Sequence, residues 1–299
     1  MDRVQDMFGY EYNELLSMLL VGVLIVVSIA GIAINSFLLR ILTKMSEKST
    51  SFVMIWSVAF ADLLLCHFTL VICIVRPVLG YPEAYHSSFY CPALGSVTFF
   101  VSSMSGILMG FLAMERYSVI CHQRGLPQSV VWTLFSAIAL TFAILLIGNS
   151  IIGGFAPDPS FIFCMPMGTE WSLWANYTFN VLLNIPILVL TFCYIAIFVK
   201  CYRANVPDRA EQITKRVAIR SLLFLAIYLL CYLPKFTTTL IGSYYGLGAP
   251  PVLLYMLIPV GMTTLAIVNP ILVLLLHRHV KGKVKEFIYR KKSNSMLLE

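Results

Sequence analysis

Charged residues are scarce in this chain, and that scarcity excludes an ordinary soluble domain. Only 12% of the 299 residues are charged and 59% are hydrophobic, whereas soluble domains usually have about a quarter charged residues. We find no internal repeat of the kind that builds paired transporter halves. Histidine is also sparse, and His67 is the one histidine inside an apolar run. A metal hydrolase needs several convergent ligands, so this pattern does not indicate one.

Long apolar runs are what the chain has instead. There are seven, each long enough for a membrane helix of ~20 residues and too long for a barrel strand. They predict an all-α membrane protein, a seven-transmembrane helix bundle forming a single domain over 1–299. Residues 1–14 precede the spans, 15–276 contain them, and 277–299 follow. The runs are Leu15–Leu42, Phe52–Val75, Phe89–Cys121, Val130–Gly153, Leu173–Val199, Leu222–Ser243 and Pro250–Leu276.

Basic residues collect at one set of span ends, in 200–220 and 278–292, whereas the other set has only Arg3, Arg76 and Lys235. The positive-inside rule predicts an extracellular N-terminus and a cytoplasmic C-terminus in the plasma membrane. The net charge of +7 therefore reflects topology and not nucleic-acid binding. The tail mixes basic and apolar residues, which predicts a short amphipathic helix in contact with membrane lipids.

Two cysteines lie on the predicted extracellular side. Cys91 is at the outer end of the third span and Cys164 is in the loop between the fourth and fifth spans. That side is oxidising, and a disulfide between the two is geometrically plausible.

Prolines and glycines predict where helices bend and approach closely. Pro186, Pro234 and Pro270 lie inside spans five, six and seven, where each removes a backbone hydrogen bond and favours a kink. Gly106 and Gly110 have the spacing of close helix packing, and we expect that packing to be inside the bundle.

Asp62 is the one acid deep in a span, and a carboxylate there must be protonated, paired or bound to a cation. Asn35, Ser105 and Asn269 are candidate partners. Two interpretations stay open: a hydrogen-bonded structural network, or a sodium or proton site.

Lys235 lies roughly 16 Å inside the outer end of its helix, counted along the chain to Gly246. Its side chain either extends to the outer interface or places a cation in an outward-facing pocket. The second interpretation favours a ligand with a carboxylate or phosphate.

Glu115, Arg116 and Tyr117 end the third apolar run. A carboxylate beside a guanidinium at the edge of the hydrocarbon is costly unless the two are paired or functional. An ion pair here could be opened by a change made at the other side of the membrane.

Together these residues resemble those of the rhodopsin-like (class A) G protein-coupled receptors, over all seven spans. Cys91 precedes Arg116 by 25 residues, which is that family's spacing. The other matching positions are Asn35, Ala59-Phe60-Ala61-Asp62-Leu63, Trp132, Pro186 with Tyr194, Cys231-Tyr232-Leu233-Pro234 and Asn269-Pro270.

The resemblance implies a receptor, not an enzyme, that binds a ligand from outside and activates a heterotrimeric G protein inside. Outward movement of the sixth span would release Arg116 from Glu115. It assigns coupling to Glu115, Arg116, Tyr117, Tyr194, Asn269 and Pro270, and transmission to Pro186, Tyr228, Tyr232 and Pro234.

The chain departs from the family at several of these positions. Tyr232 replaces a tryptophan, and Val273 replaces the tyrosine of the Asn-Pro-x-x-Tyr motif. Leu265 stands where a polar sodium-site residue is common, which argues against sodium at Asp62. Gln123 and Arg124 replace a proline and an apolar residue in the second inner loop.

The ligand pocket is also inferred by position. Thr98 replaces the aspartate of amine receptors, and Thr263 replaces the retinal lysine of opsins. We therefore expect a small-molecule, lipid or short-peptide ligand. The candidate pocket residues are Thr98, Phe99, Ser102, Thr178, Tyr232, Lys235, Phe236, Tyr255 and Thr263.

Three other functions stay open from the sequence. A seven-helix transporter or channel would need a polar path, and Asp62 is nearly the only deep charge. A photoreceptor would need Lys235 as an unusual Schiff-base residue. An intramembrane enzyme would need metal ligands or a nucleophile–base pair, and we find neither in the sequence. No resident cofactor is expected, apart from the sodium ion considered at Asp62.

Overall fold

The computed structural model describes residues 14–45, 49–79, 90–157, 162–166, 170–203, 208–245, 252–276 and residue 282. These residues form seven long helices and two short strands. In chain order they are α1 (Glu14–Leu42), α2 (Thr50–Leu79), α3 (Tyr90–His122), α4 (Gln128–Ile151), β1 (Phe155–Pro157), β2 (Cys164–Pro166), α5 (Glu170–Arg203), α6 (Asp208–Tyr245) and α7 (Val252–Leu276). The predicted seven-helix bundle is confirmed, and the predicted amphipathic helix after span seven lies outside the described residues.

Six of the described helices form a closed ring that includes α3. Neighbours pack in the order α1, α2, α3, α5, α6 and α7, and α7 returns to α1. Helix α4 lies outside this ring, against α3 and α5. Helix α3 therefore contacts more of the molecule than any other described element, which explains why most candidate site residues lie on it or against it.

Apolar side chains cover the outside of the bundle as well as its core. Ile151 is 79% exposed, Leu15 70% and Leu230 69%. Such a surface would be unfavourable in water but is expected against lipid. Six helices in the described part of the chain are long and apolar enough to cross a membrane, and α6 contains a shorter apolar stretch, Leu222–Thr238.

Helix α6 extends well beyond the predicted span. The apolar run begins at Leu222, but the helix begins at Asp208. The intervening segment is polar, and a helix can continue into water once packing has fixed its direction. Helix α7 also has a second proline, Pro259, in addition to Pro270.

The loop between α4 and α5 has a structure that the apolar pattern did not indicate. Strands β1 and β2 pair antiparallel, with Phe155 opposite Pro166 and Pro157 opposite Cys164. This two-stranded sheet lies against α3, near its N-terminal end.

Candidate functional site

A disulfide holds the two-stranded sheet over the bundle. Cys91 of α3 is bonded to Cys164 of β2, and their Cα atoms are 5.5 Å apart. A Cβ added at Gly95 would lie 2.7 Å from the Phe155 ring and 2.9 Å from Cβ of Cys164. The sheet therefore contacts the backbone of α3 directly, and the predicted disulfide is confirmed.

Lys235 lies over an aromatic ring at the outer part of the bundle. Its Nζ is 5.1 Å from the centroid of the Phe99 ring, which is a cation–π distance. The Phe99 ring in turn packs edge-on against Phe179 of α5, with centroids 5.4 Å apart. This contact directs the lysine head toward α3 and not along the helix to the interface.

The hydroxyl of Thr98 is buried beside this contact. It has no hydrogen-bond partner among the residues that the structure describes. Ser102, one turn below, donates its hydroxyl to the Phe99 carbonyl over 3.1 Å. A buried hydroxyl without a partner is costly.

Two of the residues predicted to line the pocket are exposed. Phe236 is 51% exposed on the outer face of α6, next to the similarly exposed Leu233 and Leu240. Thr178 is exposed on α5, whereas its neighbour Phe179 is fully buried against Phe99 and Phe142. A helix turns by about 100° per residue, so a shift of one position exchanges a pocket residue for a lipid-facing one. Phe236 and Thr178 are thus exposed, whereas their neighbours Lys235 and Phe179 contact other helices, and the lining of the ligand pocket stays a prediction.

The remaining pocket residues are buried on α7. Tyr255 is 3% exposed and Thr263 is 1% exposed. The Thr263 hydroxyl donates to the carbonyl of Pro259 over 2.7 Å. This bond lies within α7, from a residue to the carbonyl four positions earlier, and uses the hydroxyl of a residue that we predicted in the pocket.

Asp62 joins three helices in the middle of the bundle. Ser105 of α3 donates to Oδ1 over 2.5 Å, and Asn269 of α7 donates to Oδ2 over 2.9 Å. Asn35 of α1 donates instead to the carbonyls of Gly31 and Ala266, over 3.0 and 2.7 Å. Both oxygens of Asp62 thus have donors, which supports the structural interpretation. The sodium or proton site stays a prediction.

Three aromatic rings stack along the inner face of α6. We call Phe224, Tyr228 and Tyr232 the aromatic column. The Phe224 and Tyr228 centroids are 5.9 Å apart, and those of Tyr228 and Tyr232 are 5.0 Å apart. At its inner end, Phe224 contacts Tyr194 of α5 at 4.8 Å. The predicted transmission residues Tyr228 and Tyr232 are therefore in direct contact.

The two glycines of α3 face the neighbouring helices, as predicted. A Cβ added at Gly106 would lie 2.8 Å from the Tyr232 hydroxyl. A Cβ added at Gly110 would lie 3.1 Å from Cβ and 3.2 Å from Cα of Pro186. The glycine spacing therefore serves packing inside the bundle, against α6 and α5.

The coupling residues lie at the other end of α3. Glu115 is 4% exposed. Arg116 is half-buried. Tyr117 packs against Phe192 at 5.9 Å. The Glu115–Arg116 ion pair stays a prediction.

Asn269 and Pro270 are buried on α7, and Val273 is 5% exposed in the core. Since valine has no hydroxyl, position 273 provides no hydrogen bond to Tyr194. Tyr194 instead contacts α6, through the ring of Phe224.

A tight turn ends α3. Gln123 has a φ of 58°, and its N–H donates to the Val119 carbonyl over 3.1 Å, as in a helix ending with a left-handed residue. Ser118 donates its hydroxyl to the Arg124 carbonyl over 2.7 Å. From α5, Lys200 donates to the Cys121 carbonyl over 3.1 Å. These bonds satisfy carbonyls at a helix end that would otherwise lack partners.

Among the described residues, no three His, Cys, Asp or Glu side chains are grouped so that they could hold a metal ion.

Comparison with known proteins gives matches over most of the chain. Residues 34–272 match the sequence model of the family described as "7 transmembrane receptor (rhodopsin family)". The chain is 24% identical over 234 residues to G-protein coupled receptor 87 of Mus musculus, covering 75% of this chain and 64% of that relative. It is 24% identical over 258 residues to melatonin receptor type 1B-A of Danio rerio, covering 79% and 84%. The crystal structure of squid rhodopsin superposes with a TM-score of 0.70 at 17% identity, covering 93% of this chain and 87% of that one.

Proposed function

Because the chain belongs to the rhodopsin family of seven-transmembrane receptors, we propose that it binds a ligand from outside the cell and activates a heterotrimeric G protein inside it. The match of residues 34–272 to the family is the observation that carries this proposal. The family and fold are those of signalling receptors and not of enzymes. The chain is accordingly a multi-pass membrane protein.

The proposed orientation places the N-terminus outside the cell and the C-terminus in the cytoplasm, in the plasma membrane. Arg40, Lys44, Lys200 and Arg203 lie at the helix ends shared with Arg116. Basic residues concentrate on the cytoplasmic side of membrane proteins. The disulfide joining Cys91 to Cys164 lies at the opposite end, which fits an oxidising exterior.

Activation follows from two conformations of α6. If the ligand and the G protein both bind better when α6 is moved outward, each raises the affinity for the other. The ring of Tyr194 on α5 contacts the ring of Phe224 on α6. A displacement of α6 therefore changes the surroundings of Tyr194, and we propose that Arg116 contacts the G protein.

Replacing Arg116 by alanine should abolish nucleotide exchange on Gα while leaving the receptor folded. If Arg116 interacts with Gα only in the productive complex, the rate of nucleotide exchange should fall about tenfold for each 1.4 kcal/mol of interaction free energy that is lost. The measurement is GTP-analogue binding to a panel of Gα subtypes with receptor in nanodiscs. Arg40→Ala, an exposed arginine of α1, is the matched control. Wild-type exchange by the Arg116→Ala variant would contradict the assigned role.

The ligand that we propose has a carboxylate or phosphate group on a small, lipid-like or short-peptide body. Lys235 supplies the cation, and its contact with Phe99 places the head between α6 and α3. The buried Thr98 hydroxyl supplies a hydrogen-bonding group one residue away on α3. An anion bound here would interact with a charged donor and a neutral one, surrounded by aromatic rings.

Replacing Lys235 by glutamine should weaken anionic agonists selectively. A charge-assisted hydrogen bond is worth about 1.5–3 kcal/mol, so the half-maximal concentration should rise by about 10- to 100-fold. The measurement compares each active acid from a ligand screen with its methyl ester or amide. Lys235→Arg keeps the charge and should keep most of the response. An equal loss for the acid and its neutral analogue would show that Lys235 does not recognise the anion.

A further inference from the structure

The loop between the two strands places one apolar side chain deep in the molecule. Ile162 is 1% exposed and is among the largest fully buried side chains of the described residues. Cys164, two residues further on, is in the disulfide with Cys91. Connecting segments usually lie on the surface, so the complete burial of Ile162 requires a site in the bundle that receives it.

Ile162 and Cys164 belong to different apolar clusters. Phe155, Cys164 and Cys91 are in the main core. Ile162 is in a second cluster, which we call the Ile162 cluster. Its other buried members come from α1, α2 and α7 and are Leu20, Leu24, Ile72, Cys73 and Met256. Two residues span at most about 7 Å of chain, so the chain passes from one cluster to the other within that distance.

The Ile162 cluster lies near one end of each helix that forms it. Leu20 is the seventh residue of α1, Met256 is the fifth of α7, and Cys73 is six residues before the end of α2. Successive helices run in opposite directions, so these ends are on the same side of the bundle as Cys91, the second residue of α3. Among the described residues, Ile162 is the one buried member of the cluster outside the helices. It therefore closes the cluster toward the water on that side.

We propose that Ile162 is an intramolecular plug, which fills an apolar pocket between α1, α2 and α7 and closes it to water. The pocket accepts a branched aliphatic group, because its other buried side chains are those of leucine, isoleucine, methionine and cysteine. The disulfide fixes the chain two residues away. Ile162 therefore stays close to the pocket when it leaves, and it returns at a high effective concentration. Closure of this pocket does not depend on the ligand or the G protein proposed above.

The thiol of Cys73 reports whether the plug is in place. Cys73 is 0% exposed, belongs to the Ile162 cluster and is not in a disulfide. The measurement is the rate at which a charged methanethiosulfonate reagent modifies Cys73 in the full receptor in nanodiscs, read by mass spectrometry. In the wild type, the reagent reaches this thiol only when Ile162 leaves the pocket, so the reaction should be slow.

In Ile162→Ala, Cys73 should be modified at least about 30-fold faster than in the wild type, because truncating a buried isoleucine destabilises the plugged state and not the open one. Ile162→Val removes one methylene and should give a smaller rise, of about two- to tenfold. Ile151→Ala is the matched control. It is the same substitution at a side chain that is 79% exposed at the end of α4, and it should leave the rate unchanged.

A second thiol in the same samples separates opening of the pocket from unfolding of the receptor. Cys193 of α5 is 3% exposed in the main core, and its rate of modification should be the same in all variants. The plug is excluded if Cys73 reacts no faster in Ile162→Ala than in Ile151→Ala, or if Cys193 accelerates as much as Cys73. If Ile162→Ala does not fold, Ile162→Val is judged by the same two rates.

Loss of folding in both Ile162 variants would also overturn the plug, because a plug that can leave its pocket is not required for the fold. Nucleotide exchange takes no part in these measurements. A receptor that shows the expected Cys73 rates but no exchange on any Gα subtype would support the plug and count against the proposed function.

Discussion

Replacing Gly110 by valine should leave almost no folded receptor. A Cβ at this position would already lie 3.1 Å from Cβ, 3.2 Å from Cα and 3.3 Å from the carbonyl oxygen of Pro186. Two of these atoms belong to the backbone of α5 and cannot move aside as a flexible side chain would. Valine adds two further methyl groups, so α3 and α5 must separate. Overpacking of this kind typically costs about 1–3 kcal/mol, and occasionally more.

The measurement is the yield and thermal midpoint of receptor extracted in mild detergent. Gly148→Val on α4 is the matched control, because it has the same β-branched side chain with nothing within 4 Å of its Cβ. Gly110→Ala should fall between the wild type and Gly110→Val. A Gly110→Val receptor with the yield and midpoint of the Gly148→Val variant would show that α3 and α5 are not in contact there.

Replacing Asp62 by alanine should produce the second large loss of stability. Ser105 and Asn269 both donate to this carboxylate from other helices, and Asp62 is 1% exposed. Removing it leaves two buried donors without their acceptor. Each such group costs about 1–3 kcal/mol in proteins, although hydrogen bonds between membrane helices average about 0.6 kcal/mol. Asp62→Asn keeps one acceptor oxygen and should cost less.

Thermal unfolding in detergent measures this effect. Ser57→Ala on the same helix is the control, since the Ser57 hydroxyl donates to the Val53 carbonyl of its own helix and joins no other element. A double-mutant cycle of Asp62→Ala with Ser105→Ala should give a non-additive total, because the two residues share one hydrogen bond. Additive losses, or an Asp62→Ala variant as stable as Ser57→Ala, would exclude the network as a source of stability.

The apolar runs predicted the helices well because a segment that crosses the lipid must be apolar over its whole length. It does not record where a helix ends, since α6 begins at Asp208, far into the polar segment before Leu222. It also gave no indication of the paired strands at Phe155–Pro157 and Cys164–Pro166. Those strands depend on backbone pairing and on the disulfide, and neither of these produces a periodic pattern of apolar residues in the sequence.

Two of the residues predicted to line the pocket are exposed in the structure, because helix rotation was unknown from the sequence alone. Phe236 and Thr178 lie one residue from Lys235 and Phe179, which face the bundle. A single step along a helix moves a side chain by about 100°. The signal available in the sequence was the phenylalanine at position 179, next to Thr178.

By itself, the sequence determined the class of protein, the seven spans, the disulfide and the central carboxylate, because each of these depends on residue type and spacing. Only the tertiary structure decided which atoms the glycines of α3 accommodate. Gly106 and Gly110 have identical chemistry, but one faces the hydroxyl of Tyr232 and the other the backbone of Pro186. A glycine in α3 indicates that atoms of another helix can approach its backbone closely, and the packing of the neighbouring helices determines which atoms these are.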